Sequence, residues 1–185
     1  MTKDKIILAS SSPRRKLLFH KITDNFEIIE PVVDELEIGD PEENAQNNAI
    51  LKGRAIKGDH FCIVACDTLV ALDGAIYGKP KTAQKACEML KKLSGKIHSV
   101  FSGVYIKING KEITFIEESK VKLRELTNAK INDYVEKYSP LDKAGSYGIQ
   151  DDVIVDSWSG DYDNIVGLPV GRIREILREY IDVKD

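Results

Sequence analysis

The chain contains no apolar run approaching the roughly 18 residues that a membrane-spanning helix needs. Its opening, MTKDKIILASSS, has too short an apolar core for a signal peptide, so a cytoplasmic protein is expected. Cationic charge is not in excess: 27 Lys and Arg face 30 Asp and Glu, for a formal net charge of −3. That balance excludes a broadly basic nucleic-acid surface and leaves room for a local positive cleft. Cysteine is scarce and odd in number, with Cys62 and Cys66 inside the apolar run FCIVAC and Cys87 apart from them. Buried, reduced thiols are the expectation, not a disulfide framework. His20, His60 and His98 lack the spacing of zinc ligands, so any metal should be a hard cation held by oxygen. A Gly-x-x-x-x-Gly-Lys-Ser/Thr loop is missing, which excludes a Walker-type NTPase, and neither a Rossmann fingerprint nor a nucleophile elbow is present. There is no internal repeat, low-complexity tract or linker. With 185 residues, 42% of them hydrophobic, the expectation is one domain over 1–185, or one domain in two lobes, with a real core.

What is present is an alternation of strands and helices with clear punctuation. KIILAS reads as a short buried strand, followed by Ser12 as N-cap and Pro13 in the first turn of a helix. NFEIIEP reads as a second strand. Asp40 and Glu43 form a capping-box-like pair around Pro41, opening a helix that packs through Ala45, Ala49, Ile50 and Ile56. HFCIVACDTLVALDGAIYGKP is a nearly continuous apolar strand with a hairpin at Asp73-Gly74, and a second long hairpin turns at Asn109-Gly110. Helices are expected from Thr82 to Gly95, from Thr127 to about Tyr138 and from Pro169 onward. PLDKAGSYGIQDD reads as irregular and VIVDSWSGDYDNIV as strand-like. The sum is an α/β (α+β) domain with a mixed sheet.

Five stretches carry the candidate chemistry. In SSSPRR, Ser10–Ser12 form a strand-to-helix turn, where free N–H groups and the macrodipole attract anions. Arg14 and Arg15 in that first turn cost an isolated helix ~0.3–1 kcal/mol each, a sign that an anionic ligand would reverse. Pairing with surface carboxylates is the plain alternative. Asp67 interrupts an apolar strand, where an ionised, unpaired carboxylate is costly to bury. A turn or cap role is one reading, but the resumption of LVAL favours a carboxylate that binds Mg²⁺ or takes a proton from water. Lys79 in YGKP fits a phosphate point charge, as exposed lysines often do without function. In DKAGSYGIQ, Gly145 and Gly148 allow close backbone approach to a ligand, and Gln150 offers both a donor and an acceptor to a base edge. Asp34 and Glu35 follow a strand and are placed either in a metal site or in a solvated loop.

Together, LASSSPRRKLL, VDE, the helix carrying Arg54-Ala55, CDTLV, YGKP, LSGKIHSVFSGV, PLDKAGSYGIQ and GDYDNIVGLPV resemble the Maf family of nucleotide pyrophosphatases, in order and from Ile7 to about Val170. The resemblance implies a Maf/ITPase-like elongated mixed β-sheet flanked by helices, in two lobes with a central cleft. It implies hydrolysis of a nucleoside triphosphate between the α and β phosphates, a divalent cation (Mg²⁺ or Mn²⁺), a cytoplasmic location and a homodimer. It places Asp67 as proton acceptor for the attacking water, and Glu35 and Lys79 on pocket positions beside it in catalysis. Because Mg²⁺ takes one or two carboxylates, Glu35 and Asp67 are the candidates for the metal shell, directly or through water, with Asp67 either chiefly a base or chiefly a metal ligand. Ser10 and Arg15 fall on pocket positions, and Arg14, Thr68 and Gln150 on those associated with base preference. Arg, Thr and Gln there resemble the dTTP/UTP-cleaving branch, with modified pyrimidine nucleotides and a house-cleaning role in view, and differ from the branch acting on 7-methyl-GTP. Two departures stand out. Arg54 occupies what reads as a lysine position, keeping the charge but as a planar fork, and is expected to bind substrate by joining Arg14, Arg15 and Lys79 in a positive cleft. Asp151 and Asp152 follow YGIQ where glycine is common, and would either weaken nucleotide binding or hold a metal. Two other readings stay open from the residues alone: a nucleotide- or nucleic-acid-binding regulatory module linked to septum formation, without turnover, and a hydrolase of another class such as sugar nucleotides.

Overall fold

The structure, a computed structural model, describes residues 6–184. Seven strands, β1 (Ile6–Ala9), β2 (Phe26–Ile29), β3 (Cys62–Leu72), β4 (Ala75–Tyr77), β5 (Ile97–Ile108), β6 (Lys111–Leu123) and β7 (Val155–Ser159), form one mixed sheet. Its order is β2-β1-β3-β5-β6-β7, with β4 paired to β3 off that path. β1 runs parallel to β2 and β3, while from β3 through β5 and β6 to β7 each strand is antiparallel to its neighbour. Six helices flank it: α1 (Pro13–Phe19), α2 (Pro41–Ala55), α3 (Ala83–Leu93), α4 (Asn128–Tyr138), α5 (Tyr162–Val166) and α6 (Val170–Arg178). The mixed α/β fold expected from the alternation is therefore present.

The caps act as the sequence implies. The Ser12 side chain accepts from the Arg15 amide, and the Asp40 carboxylate accepts from the Glu43 amide at 2.9 Å. Both hairpins turn where expected, at Asp73-Gly74 and Asn109-Gly110, all four residues having positive φ. Cys62 and Cys66 are buried free thiols, as anticipated. One expectation fails: DYDNIV is not strand. β7 stops at Ser159, Gly160 turns the chain at φ +97°, and the Asp161 carboxylate accepts from the Asp163 amide at 2.8 Å, starting α5. The irregular PLDKAGSYGIQDD resolves into three short 3-10 turns.

Two features of the sheet make room for a site. β3 outruns its parallel partner: pairing with β1 ends at Ala65, and pairing with β4 begins at Val70. Residues 66–69 thus border a gap on one edge while remaining paired to β5 on the other. The second feature is the close approach of α2. A Cβ on Gly103, the cross-strand partner of Asp67, would lie 2.2 Å from the Ala45 carbonyl oxygen, and one on Gly53 would lie 2.0 Å from the Tyr105 ring. The two glycines let the helix lie directly on β5 and β3. Apolar cores sit on either side of the gap. One gathers Leu8, Phe19, Val64, Ile106 and Ile173, and the other Val70, Leu90, Val121, Tyr134 and Ile154. No helix among the described residues is long and apolar enough to cross a membrane.

Candidate active site

A cleft of about 270 Å³ opens at that gap. Its walls come from the β1–α1 turn, the segment after β2, α2, β3 and the Asp142–Gln150 loop. Of the residues singled out from sequence, Ser10, Arg14, Arg15, Glu35, Thr68, Lys79 and Gln150 all line it. Asp67 lies beneath, 7% exposed.

Asp67 is held from two sides. Lys52 donates to one carboxylate oxygen at 2.5 Å and Asn48 to the other at 3.1 Å. The same Lys52 ammonium pairs with Glu35 at 2.8 Å. Burial alone pushes the Asp67 carboxyl up, but the charges of Lys52 and Arg15 and the hydrogen bonds from Lys52 and Asn48 outweigh it and hold the group below its ordinary range. The cost of an interrupted apolar strand is thereby met: the carboxylate is buried but doubly bonded.

Arg15 is fixed by β3 and the α5–α6 connection. Its guanidinium donates to the Gly167 carbonyl at 2.9 Å and to the Thr68 hydroxyl at 3.1 Å, and Thr68 in turn pairs with Ser102 at 2.8 Å. Arg14 reaches across the cleft to the Asp142 carboxylate and donates to the Asp142 carbonyl at 3.1 Å. Lys143 binds the other Asp142 oxygen at 3.1 Å. Lys79 lines the cleft with no carboxylate partner among the described residues. Val70, Val100, Tyr147 and Ile149 give the cavity an apolar wall, and the Tyr147 hydroxyl meets the buried His98 ring at 2.7 Å.

Arg54 requires correction. It does not reach the cleft; it makes a bidentate pair with Glu112, at 3.2 and 2.6 Å, on the outer face of α2 with 62% of its side chain exposed. Two residues along a helix turn the side chain through about 200°, so the cleft-facing cation is Lys52, not Arg54. The packing positions Ala45 and Ala49 carried the signal: Asn44, Asn48, Lys52 and Gly53 share their buried face, and of its three polar side chains Asn48 and Lys52 turn to Asp67. Asp151 and Asp152 do not line the cleft either. The Asp151 carboxylate accepts from the Tyr134 hydroxyl, which itself accepts from the Gly148 amide at 3.0 Å, so this charge braces the loop behind Gln150.

For a cation, the donor set is of the right kind. Glu35 and Asp67 both reach one ammonium nitrogen and so face one small volume, all ligands are oxygen, and 44% of the Glu35 side chain is exposed. Among the described residues no three His, Cys, Asp or Glu side chains form a ready cage. Such an ion would complete its shell with water and phosphate oxygens, as Mg²⁺ commonly does.

The sequence pattern of the family described as "Maf-like protein" matches residues 5–180. The chain is 42% identical over 181 residues to a "dTTP/UTP pyrophosphatase" of Thermotoga maritima, covering 95% of this chain and 89% of that one. It is 44% identical over 176 residues to a protein of the same name from Thermosipho africanus, covering 94% and 92%. For one from Bacillus cereus the identity is 42% over 187 residues, covering 97% of each. A partial likeness exists to the solved Staphylococcus aureus Ham1 protein, at 21% identity and a TM-score of 0.44 over 64% of this chain and 71% of that one.

Proposed function

The chain belongs to the Maf family, and from that premise we propose that it is a nucleoside triphosphate pyrophosphatase, hydrolysing dTTP and UTP to the monophosphate and pyrophosphate. One observation carries the reading. In a chain of net charge −3, Arg14, Arg15, Lys52, Lys79 and Lys143 line a single cleft above a buried carboxylate. A triphosphate brings about four negative charges near neutral pH; the five cations against the carboxylates of Glu35, Asp67 and Asp142 leave two positive charges in the cleft, and a divalent cation would raise that to four.

Each residue then has a task. Lys79, unpaired, grips the phosphate tail as a point charge, and the β1–α1 turn with Ser10 offers hydroxyl and amide donors beside it. Arg15, already fixed by Thr68 and Gly167, contributes a stationary charge that needs no reorganisation when the substrate arrives. Asp67, ionised at neutral pH, orients and accepts the proton of the water attacking the α phosphorus. Glu35 and Asp67 would hold Mg²⁺ or Mn²⁺, which when bound neutralises charge on the phosphoryl oxygens. Lys52 keeps the two carboxylates together. Arg14, Thr68 and Gln150 read the base. A pyrimidine of the thymine or uracil type, modified ones included, suits the donor and acceptor of Gln150 against the apolar wall. A cytoplasmic location, a homodimer and a house-cleaning role belong to the same proposal.

Pyrophosphate release by the purified protein, measured across a panel of nucleoside triphosphates and sugar nucleotides with Mg²⁺ or Mn²⁺, tests it. Turnover of dTTP and UTP above all others is expected. Nucleotide binding without release of pyrophosphate would overturn the enzymatic reading.

A further inference from the structure

The segment between β2 and α2 delivers Glu35 to the cleft, yet little holds it. Residues 30–40 form neither helix nor strand, and Val32 and Ile38 on it are 93% and 91% exposed. From Pro31 to Gly39, the polar ties to the rest of the protein among the described residues are the Glu35–Lys52 pair and two hydrogen bonds at Leu36. Both of the latter come from Asn48. Its side-chain oxygen accepts from the Leu36 amide at 2.7 Å, and its NH₂ group donates to the Leu36 carbonyl at 3.0 Å. The second N–H of that group goes to Asp67, at 3.1 Å.

Asn48 is 2% exposed and its bond to Asp67 is buried, while the two bonds to Leu36 are partly buried. Its partners fix the orientation of the amide. Turning it over would set NH₂ against the Leu36 N–H, and oxygen against both a carbonyl and a carboxylate, three repulsions in place of three bonds. The residue therefore ties two things at once: the backbone next to Glu35, and the carboxylate of Asp67. Lys52 joins the same two acids by charge, but an ammonium on a flexible stem does not fix direction as a planar amide does.

We propose that Asn48 is a positioning residue that sets the Glu35 segment in register with Asp67, so that both acids face the same point of the bound polyphosphate. The inference rests on the pyrophosphatase reading. Asn48 touches no substrate; it acts through the placement of the other two. Losing it lets the segment drift while the cations of the cleft stay in place, which predicts damage to turnover and little to binding.

Asn48→Leu keeps the volume and removes all three hydrogen bonds. With dTTP, kcat should fall about tenfold to a hundredfold, as expected when reacting groups are misplaced by about an ångström. KM should stay within about threefold, because the cationic grip is unaltered. Hydrogen exchange at the Leu36 amide should quicken in the variant while the β3 amides remain protected. A folded Asn48→Leu protein with kcat within twofold of wild type, or with KM raised as much as kcat is lowered, would overturn the proposal. If that variant does not fold, the wild-type protein gives the answer: a Leu36 amide exchanging as fast as those of Val32 and Ile38 would also overturn it. A wild-type protein that releases no pyrophosphate from dTTP would sink the functional reading instead, a separate result.

Discussion

The two ends of the cleft are built on different principles. At one end Asn48, Lys52 and Asp67 are 2%, 7% and 7% exposed, and each polar atom in contact has a set partner. At the other, Arg14, Asp142 and Lys143 form an ion-pair cluster whose side chains are 25%, 59% and 20% exposed. A buried charge network is costly to disturb, because removing one member leaves another unpaired in a low-dielectric site. An open cluster is screened by water and contributes little to stability, with exposed pairs worth about 0–1 kcal/mol. The buried end suits chemistry, which needs groups fixed before the reaction begins. The open end suits recognition, where side chains exchange a protein partner for a ligand at small cost.

The sharpest way to break this contrast is at Asp67. Asp67→Asn keeps the shape and removes the charge, so turnover should fall by about 10²–10⁴-fold while circular dichroism shows a folded protein. Full activity in that variant would remove Asp67 from the mechanism.

The second effect is on stability, and it shows that the open end has a buried floor. His98, 2% exposed beneath Tyr147, has no partner for Nδ1 among the described residues, and burial lowers its pKa to about 4 from an ordinary 6.5. Between those values the unfolded chain takes up a proton that the folded one refuses. Stability is thus fully present above about pH 6.5 and is lost as the pH falls toward 4, by about 3 kcal/mol from this group. Urea unfolding across that range should show a shallower acid slope in a His98→Gln variant than in wild type.

Smaller again is the change expected from Gln150→Glu. With the donor gone, the ratio of kcat/KM between dTTP, UTP and GTP should shift by about tenfold, with stability hardly altered. A constant ratio would place base reading elsewhere. Smallest of all is Arg54→Ala. Since Arg54 pairs with Glu112 on the far face of α2, kcat/KM for dTTP should stay within about twofold and stability within about 1 kcal/mol.

That last residue also marks the limit of what the sequence revealed. Local signals were legible because they act locally: the Ser12 and Asp40 caps, the two Gly turns, the apolar periodicity and the misfit of Asp67 in its strand. So was the gathering of Ser10, Arg14, Arg15, Thr68, Lys79 and Gln150, through the family resemblance. The choice between Lys52 and Arg54 was not, because it depends on which face of α2 lies on the sheet, and that is set by the close packing at Gly53 and Gly103. Asn48 and Ser102 escaped for the same reason, their partners lying 12 to 34 positions away in the chain. The DYDNIV helix was hidden by its β-branched residues, although the Asp161 cap was there to be read.

Isotope labelling reaches the central claim, that the cleft holds a polyphosphate tail with its α phosphorus over Asp67. When dTTP is hydrolysed in ¹⁸O-water, label is expected in the thymidine monophosphate and none in the pyrophosphate. Label in pyrophosphate would mean attack at the β phosphorus and would contradict the account.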